Sequence, residues 1–274
     1  MVASTTKNTN IEPWRLQELT NILNSIEDDI AAAISAKQIM TGNDYCNIVL
    51  RSAGKAIVSM REIICLVSCG YPDGALSISR NLYEQLIILA FFESKHQDQD
   101  FQNYVEDYGI DYDIQRYKAL IYECENCLQN SERITELKEE LAKVKRTAHN
   151  STGRGTYWWA GCSTFANLTN SVIESMQEQN VQFFLHRLHL HYKRACVALH
   201  ASCIGNTLRL GSNPDFAGID TTPTEKGHAL PLWFATISLG YILGVTFSML
   251  ELEYEHYEQS LNELSTFYDN KEKD

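Results

Sequence analysis

Two short runs hold side chains whose types and spacing suit chemistry. In Ser77-Ile78-Ser79-Arg80-Asn81-Leu82-Tyr83-Glu84, Arg80 and Glu84 are four residues apart. On a helix they stand on one face. Leu76, Tyr83, Ile87 and Phe91 share that stripe, which turns the pair at least partly into protein. A buried Arg–Glu pair is costly unless its hydrogen bonds are met. It is therefore either a structural ion pair joining helices or the lining of a polar pocket. The second run extends from His186 to His200 and places Tyr192, Cys196 and His200 at successive steps of four. Those three share nearly one helical face. An imidazole titrates near neutral pH, so His200 can pass protons as a general acid or base. Its other reading is a hydrogen-bonded histidine that packs one helix on another.

Metal chemistry finds little here. Cys196, His200 and Cys203 follow one another at i, i+4 and i+7, but a structural zinc wants a fourth ligand and a tighter, loop-borne spacing. Cys124-Glu125-Asn126-Cys127 is the only CxxC and has no second cysteine pair. No phosphate-binding P-loop, GxSxG, HExxH or dinucleotide fingerprint occurs. Neither a metal nor a cofactor is expected.

The bulk of the chain limits its partners. Its 274 residues carry a formal net charge of −12. Nucleic acid is polyanionic, so strong nonspecific binding is disfavoured unless a local basic face exists. Eight cysteines without an apolar leader after Met1 fit reduced thiols, several packed as small hydrophobes. The expected location is the cytoplasm.

These residues must be positioned by helices. Apolar positions recur at three and four from Ile11 to Met40, and again from Tyr45 to Cys69. Gly70 suits a C-terminal cap, and Pro72-Asp73 opens the next helix, from Gly74 to Glu93. The short link makes these two an antiparallel pair. Further helices are predicted over 97–128, 131–146 (a charged, solvated one), 181–204 and 227–267. Two long loops separate them, 147–161 and 205–227. The first carries Trp158 and Trp159, either folded onto the core or forming a lid. Residues 1–10 and 269–274 are polar ends expected to fray. No strand pattern, repeat or linker occurs, so the fold class is all-α: a single domain, 1–274, built as a multi-helix bundle of long antiparallel helices.

Ala229 to Leu250 holds 22 residues without a charge, including Gly240-Tyr241-Ile242-Leu243-Gly244. That length spans a bilayer, and GxxxG is a packing motif in lipid. Against a span stand Pro231, four hydroxyl residues, the acids Glu251, Glu253 and Glu255, and no flanking basic cluster. A buried core or dimer helix is the expectation.

The stretch Gly70 to Glu84, with its Ala75-Leu76-x3-Arg80-x3-Glu84 pattern, resembles a bacterial family of helical proteins of unknown function. So do the segment Tyr157-Trp158-Trp159-Ala160-Gly161 and the motif Tyr192-x3-Cys196-x3-His200, where the family has Ser in place of Cys196. The resemblance covers about residues 45–205 and supplies a fold more than an activity. The architecture is also similar to the HEPN superfamily of helical bundles, many of them dimeric, metal-independent ribonucleases of toxin and antiviral systems. Their Arg-x4–6-His motif is met by Arg194 and His200, although Ala195 stands where a polar residue is usual. That resemblance implies a homodimer acting on RNA, His200 as general acid/base at a ribose 2′-hydroxyl, and Arg194 holding the phosphate. Residues six apart lie about 120° from each other on a helix, so these two would converge only across a two-fold axis. The other reading is a non-catalytic module binding a ligand or partner protein, with Arg80, Glu84, Tyr192, Cys196 and His200 along its pocket.

Overall fold

The computed structural model describes residues 13–37, 44–128, 131–150, 155–199, 223–224 and 226–273. Among the described residues there are nine α-helices and no strand, so the protein is all-α. They are α1 (Pro13–Lys37), α2 (Asp44–Ser68), α3 (Pro72–Lys95), α4 (Phe101–Glu123), α5 (Ser131–Thr147), α6 (Phe165–Ser175), α7 (Gln179–Leu199), α8 (Ala229–Met249) and α9 (Glu255–Lys273). Residues 1–10, His200, Cys203 and most of the 205–227 loop lie outside the described residues. The chain divides into two compact units: Met1–Thr41, Cys46–Leu89 and Phe183–Asp274 form one; Gly42–Tyr45 and Ala90–Gln182 form the other.

In the first unit, α2 ends as its sequence predicts. Gly70 takes a left-handed φ of 81°, a conformation that costs a residue with a Cβ. The N–H groups of Gly70 and Tyr71 donate to the carbonyls of Val67 and Leu66 at 3.0 and 2.8 Å. This is the paired closure that satisfies the last carbonyls of a helix, and Pro72 then starts α3. Thr224 donates to the Gly70 carbonyl at 3.0 Å, and Pro223 fills the space a Cβ would need.

α8 buries fourteen of its residues, Trp233, Phe234 and Phe247 among them. It is long and apolar enough to cross a membrane, yet 72% of its most apolar window is buried inside the protein. Its two glycines have an intrachain use. Gly240 and Gly244 make room for the ring of Tyr254, whose hydroxyl donates to the Gly240 carbonyl at 2.8 Å. The single helix expected over 227–267 is therefore two. Glu251 adopts a positive φ of 53°. Glu251 and Leu252 N–H close on Ser248 and Phe247 carbonyls at 3.1 and 2.9 Å. No glycine or proline announces this break; the return of Tyr254 and Tyr257 onto Phe247 sets it. Residues 269–273, expected to fray, are helical, because Asp269 accepts a 2.6 Å bond from Arg187 Nη2. α1 joins through Tyr257, which donates to Asp29 at 2.7 Å.

The second unit has an aromatic centre. Trp159, 2% exposed, stacks on Phe92 at 5.4 Å and meets Phe91 and Tyr108 edge-on. The loop that carries it is folded onto this core, the first of its two expected roles. Asp107, fully buried on α4, accepts the backbone N–H groups of His149 and Asn150 at 2.8 and 2.9 Å. Trp158 Nε1 donates to Asp111 at 2.6 Å. α5 packs on Ile121 of α4 and on Cys124, in the turn just after it, through Leu137, leaving its charged residues in water as predicted. Cys124 of the CxxC is buried and Cys127 is exposed, both as free thiols. Trp159→Ala should cost about 3–5 kcal/mol of stability. Urea unfolding measures this, and a loss below about 1 kcal/mol would remove Trp159 from the core.

Candidate functional site

All the site residues within the described chain lie in the first unit, on α3 and α7. Tyr192 Oη donates to Glu84 Oε1 at 2.9 Å. Arg80 Nε stands 3.5 Å from the same oxygen. The Arg80 Cζ is 5.9 Å from the Tyr192 ring centroid, near the limit for a cation–π contact. Cys196 stands beside the Tyr192 hydroxyl and, with Glu84, helps to keep its proton on. The Arg80 and Glu84 side chains are each 26% exposed. The pair is thus half-buried rather than interred, which reduces the desolvation cost of its charges.

A dry layer lies behind this cluster. Tyr83, fully buried, has its hydroxyl 3.4 Å from His189 Nδ1. Its ring packs against Tyr192 at 5.4 Å and Phe234 of α8 at 5.3 Å. His189 stacks on Tyr192 at 5.6 Å. Burial, with the neighbouring Lys193 and His186 charges, holds the His189 imidazole down to about 4. It is therefore neutral at pH 7. Burial first, then the bond to Glu84, pushes Tyr192 well above the ordinary phenol range. Tyr192 is accordingly a fixed neutral donor rather than a base or nucleophile. Glu84 is an acceptor already engaged by Tyr192.

The structure thus brings together Arg80, Glu84, Tyr192 and Cys196. Arg194 is exposed on α7 and does not join them. It is two positions from both Tyr192 and Cys196, a turn of about 200°. His200 lies outside the described residues. Tyr83, His189 and Lys193 were not singled out from the sequence. The available signals were adjacency to Glu84 for Tyr83, and a three-residue step from Tyr192 for His189. Among the described residues, no three His, Cys, Asp or Glu side chains come together as a metal site.

Fold and site define an all-α protein with a tyrosine–carboxylate–guanidinium cluster joining two helices. A model of the Family of unknown function (DUF5677) matches residues 47–217, and the chain belongs to that family. The match takes in Arg80, Glu84, Tyr192 and Cys196. No characterised protein and no solved structure matches the chain.

The depressed His189 has a consequence for stability. Below about 6.5 an unfolded chain takes up a proton that the folded one refuses until about 4, so acid favours unfolding in that window. His191, lowered chiefly by burial, acts in the same direction. Stability in urea should be full above pH 6.5 and fall between 6.5 and 4, and His189→Gln should flatten that fall. An unchanged slope in the variant would mean that His189 is protonated in the fold.

Proposed function

We propose that this protein is a HEPN-like, metal-independent endoribonuclease acting as a homodimer in a bacterial defence or toxin system. The observation that carries this reading is the charge of α7. The helix contains no Asp or Glu in 21 residues, in a chain with 35 acidic against 23 Lys and Arg residues. His186, Lys193 and Arg194 stand on its exposed side. This is the local basic face that an acidic protein needs to meet phosphates. Phe183, 74% exposed, and Phe184 lie on the same helix and offer ring faces on which bases stack.

In this reading His200, the next position after Tyr192 and Cys196 by helical spacing, takes the proton of a ribose 2′-hydroxyl. The 2′-oxygen bonds to the adjacent phosphorus, the bond to the 5′-oxygen breaks, and a proton is returned to that leaving oxygen. The products are a 2′,3′-cyclic phosphate and a 5′-hydroxyl. Arg194 supplies positive charge to the phosphate backbone, reaching the site across the two-fold axis of a dimer. Purified protein incubated with total RNA and tRNA, with and without chelator, tests this beside His200→Ala. Chelator-resistant cleavage, lost in the variant, is expected. Cleavage that survives in His200→Ala overturns it.

A second reading is a non-catalytic module that binds a ligand or partner protein as a dimeric scaffold or sensor. It is favoured by the described part of the cluster. His189 at about 4 and a strongly raised Tyr192 leave neither of these groups poised to transfer a proton near neutral pH. A thermal-shift screen of soluble anionic ligands and nucleotides distinguishes the two, because binding raises apparent stability by mass action. A shift together with intact RNA supports the module, and RNA cleavage with no shift rules against it.

A further inference from the structure

We infer that Arg80 is an anion-binding residue, whose guanidinium takes a phosphate group at the mouth of the Tyr192–Glu84 cluster. That the phosphate is one of RNA's rests on the ribonuclease reading; that an anion binds there does not.

The argument begins with what Arg80 lacks. A guanidinium has five N–H donors and no acceptor, and in a protein interior these are normally met. Here Nε is buried with no hydrogen-bond partner among the described residues. Its ion contact to Glu84 Oε1 is 3.5 Å long, well beyond the roughly 2.7–2.9 Å of a charge-assisted bond. The Glu84 oxygen is held instead by Tyr192 at 2.9 Å. The contact is thus an ion pair without a closed hydrogen bond, and the short bond on that oxygen is the one from Tyr192. The side chain is nevertheless 26% exposed, and its Nη groups are not among the buried atoms, so it is through them, and not through the buried Nε, that a solute can reach the guanidinium.

The surroundings favour an anion over a second carboxylate of the protein. Tyr192 is neutral, and so is His189 behind it. Lys193 is near enough to depress the His189 imidazole, which adds a second positive charge beside the cluster. Among the described residues Glu84 is the only acid paired with Arg80, and its bond to Tyr192 offsets part of its pull. A planar fork with unmet donors matches the paired oxygens of phosphate. The cluster thus works as a positioned cation: Tyr192 holds Glu84, Glu84 keeps Arg80 oriented, and Arg80 has donors to spare.

Calorimetric titration tests this with two probes, inorganic phosphate and an oligonucleotide carrying 2′-deoxyribose, which cannot be cleaved by attack of a 2′-oxygen. Arg80→Ala should weaken binding of the probe at least tenfold, and Arg80→Lys should restore part of the loss. Arg61→Ala, which removes a guanidinium paired with Glu27 on the same unit, should bind as the parent does. Glu84→Gln keeps an acceptor for Tyr192 but removes the competing charge, and it should tighten binding severalfold; a merely structural Glu84 would give no gain. Parent protein that binds neither probe, or Arg80→Ala that folds by circular dichroism and binds unchanged, overturns the inference. Phosphate binding lost in Arg80→Ala, with RNA left intact by the parent, upholds Arg80 and removes the ribonuclease reading. RNA cleavage and probe binding both unaffected by Arg80→Ala do the reverse.

Discussion

The first unit depends on the burial of one phenol. Tyr83 has no exposed surface, and its ring lies against Tyr192 on α7 and Phe234 on α8. Three helices remote in sequence meet on this side chain. A tyrosine brings a large apolar area into a core but obliges its hydroxyl to find a partner, and His189 stands at 3.4 Å to serve it. Burial, with the nearby charges of Lys193 and His186, keeps the imidazole neutral. A neutral His189 can stack on Tyr192, which then reaches Glu84. Ser79, one turn before Tyr83 and also buried, repeats the logic by donating to the Pro231 carbonyl at 2.9 Å.

Charge is sorted along the chain rather than spread. An acidic protein repels polyanions at long range, and salt screens that repulsion over about 10 Å at 0.1 M. A helix without carboxylates can therefore present a cationic face locally. α7 does so, and still keeps its inner face apolar with Leu185, Leu188 and Ala195 buried. Arg187 is its one cation with a firm partner, Asp269, and the guanidinium also lies 5.0 Å from the Trp233 ring. Arg187 thus serves packing, while Lys193 and Arg194 remain in water.

Connections are governed by backbone hydrogen-bond demand. A buried amide without a partner costs more than an ordinary hydrogen bond gains. Asp107 meets that demand for the chain leaving α5, where two consecutive N–H groups share one carboxylate. The turn after α8 meets it with Glu251 in a conformation that glycine adopts more cheaply. The strain is tolerated because Tyr254 and Tyr257 pack once the chain has turned.

Much of this was legible in the sequence, because helical periodicity and capping are local. The all-α class, the limits of α2, the Gly70 cap, the Pro72 start and the solvated face of α5 all follow from neighbours within a few residues. So does the sharing of a face by Arg80 and Glu84, and by Tyr192 and Cys196. What spacing could not decide was which faces meet. The contact of Tyr192 with Glu84 joins residues 108 positions apart, and only the packing of α3, α7 and α8 on Tyr83 creates it. Tertiary packing likewise decided the break at Glu251 and the helical state of 269–273 through Asp269, whereas the burial of α8 was already expected from its proline, its hydroxyl residues and its lack of a basic flank. Local pattern determines where a helix can form and which side it presents; the free energy of burying that side is set by a partner elsewhere in the chain.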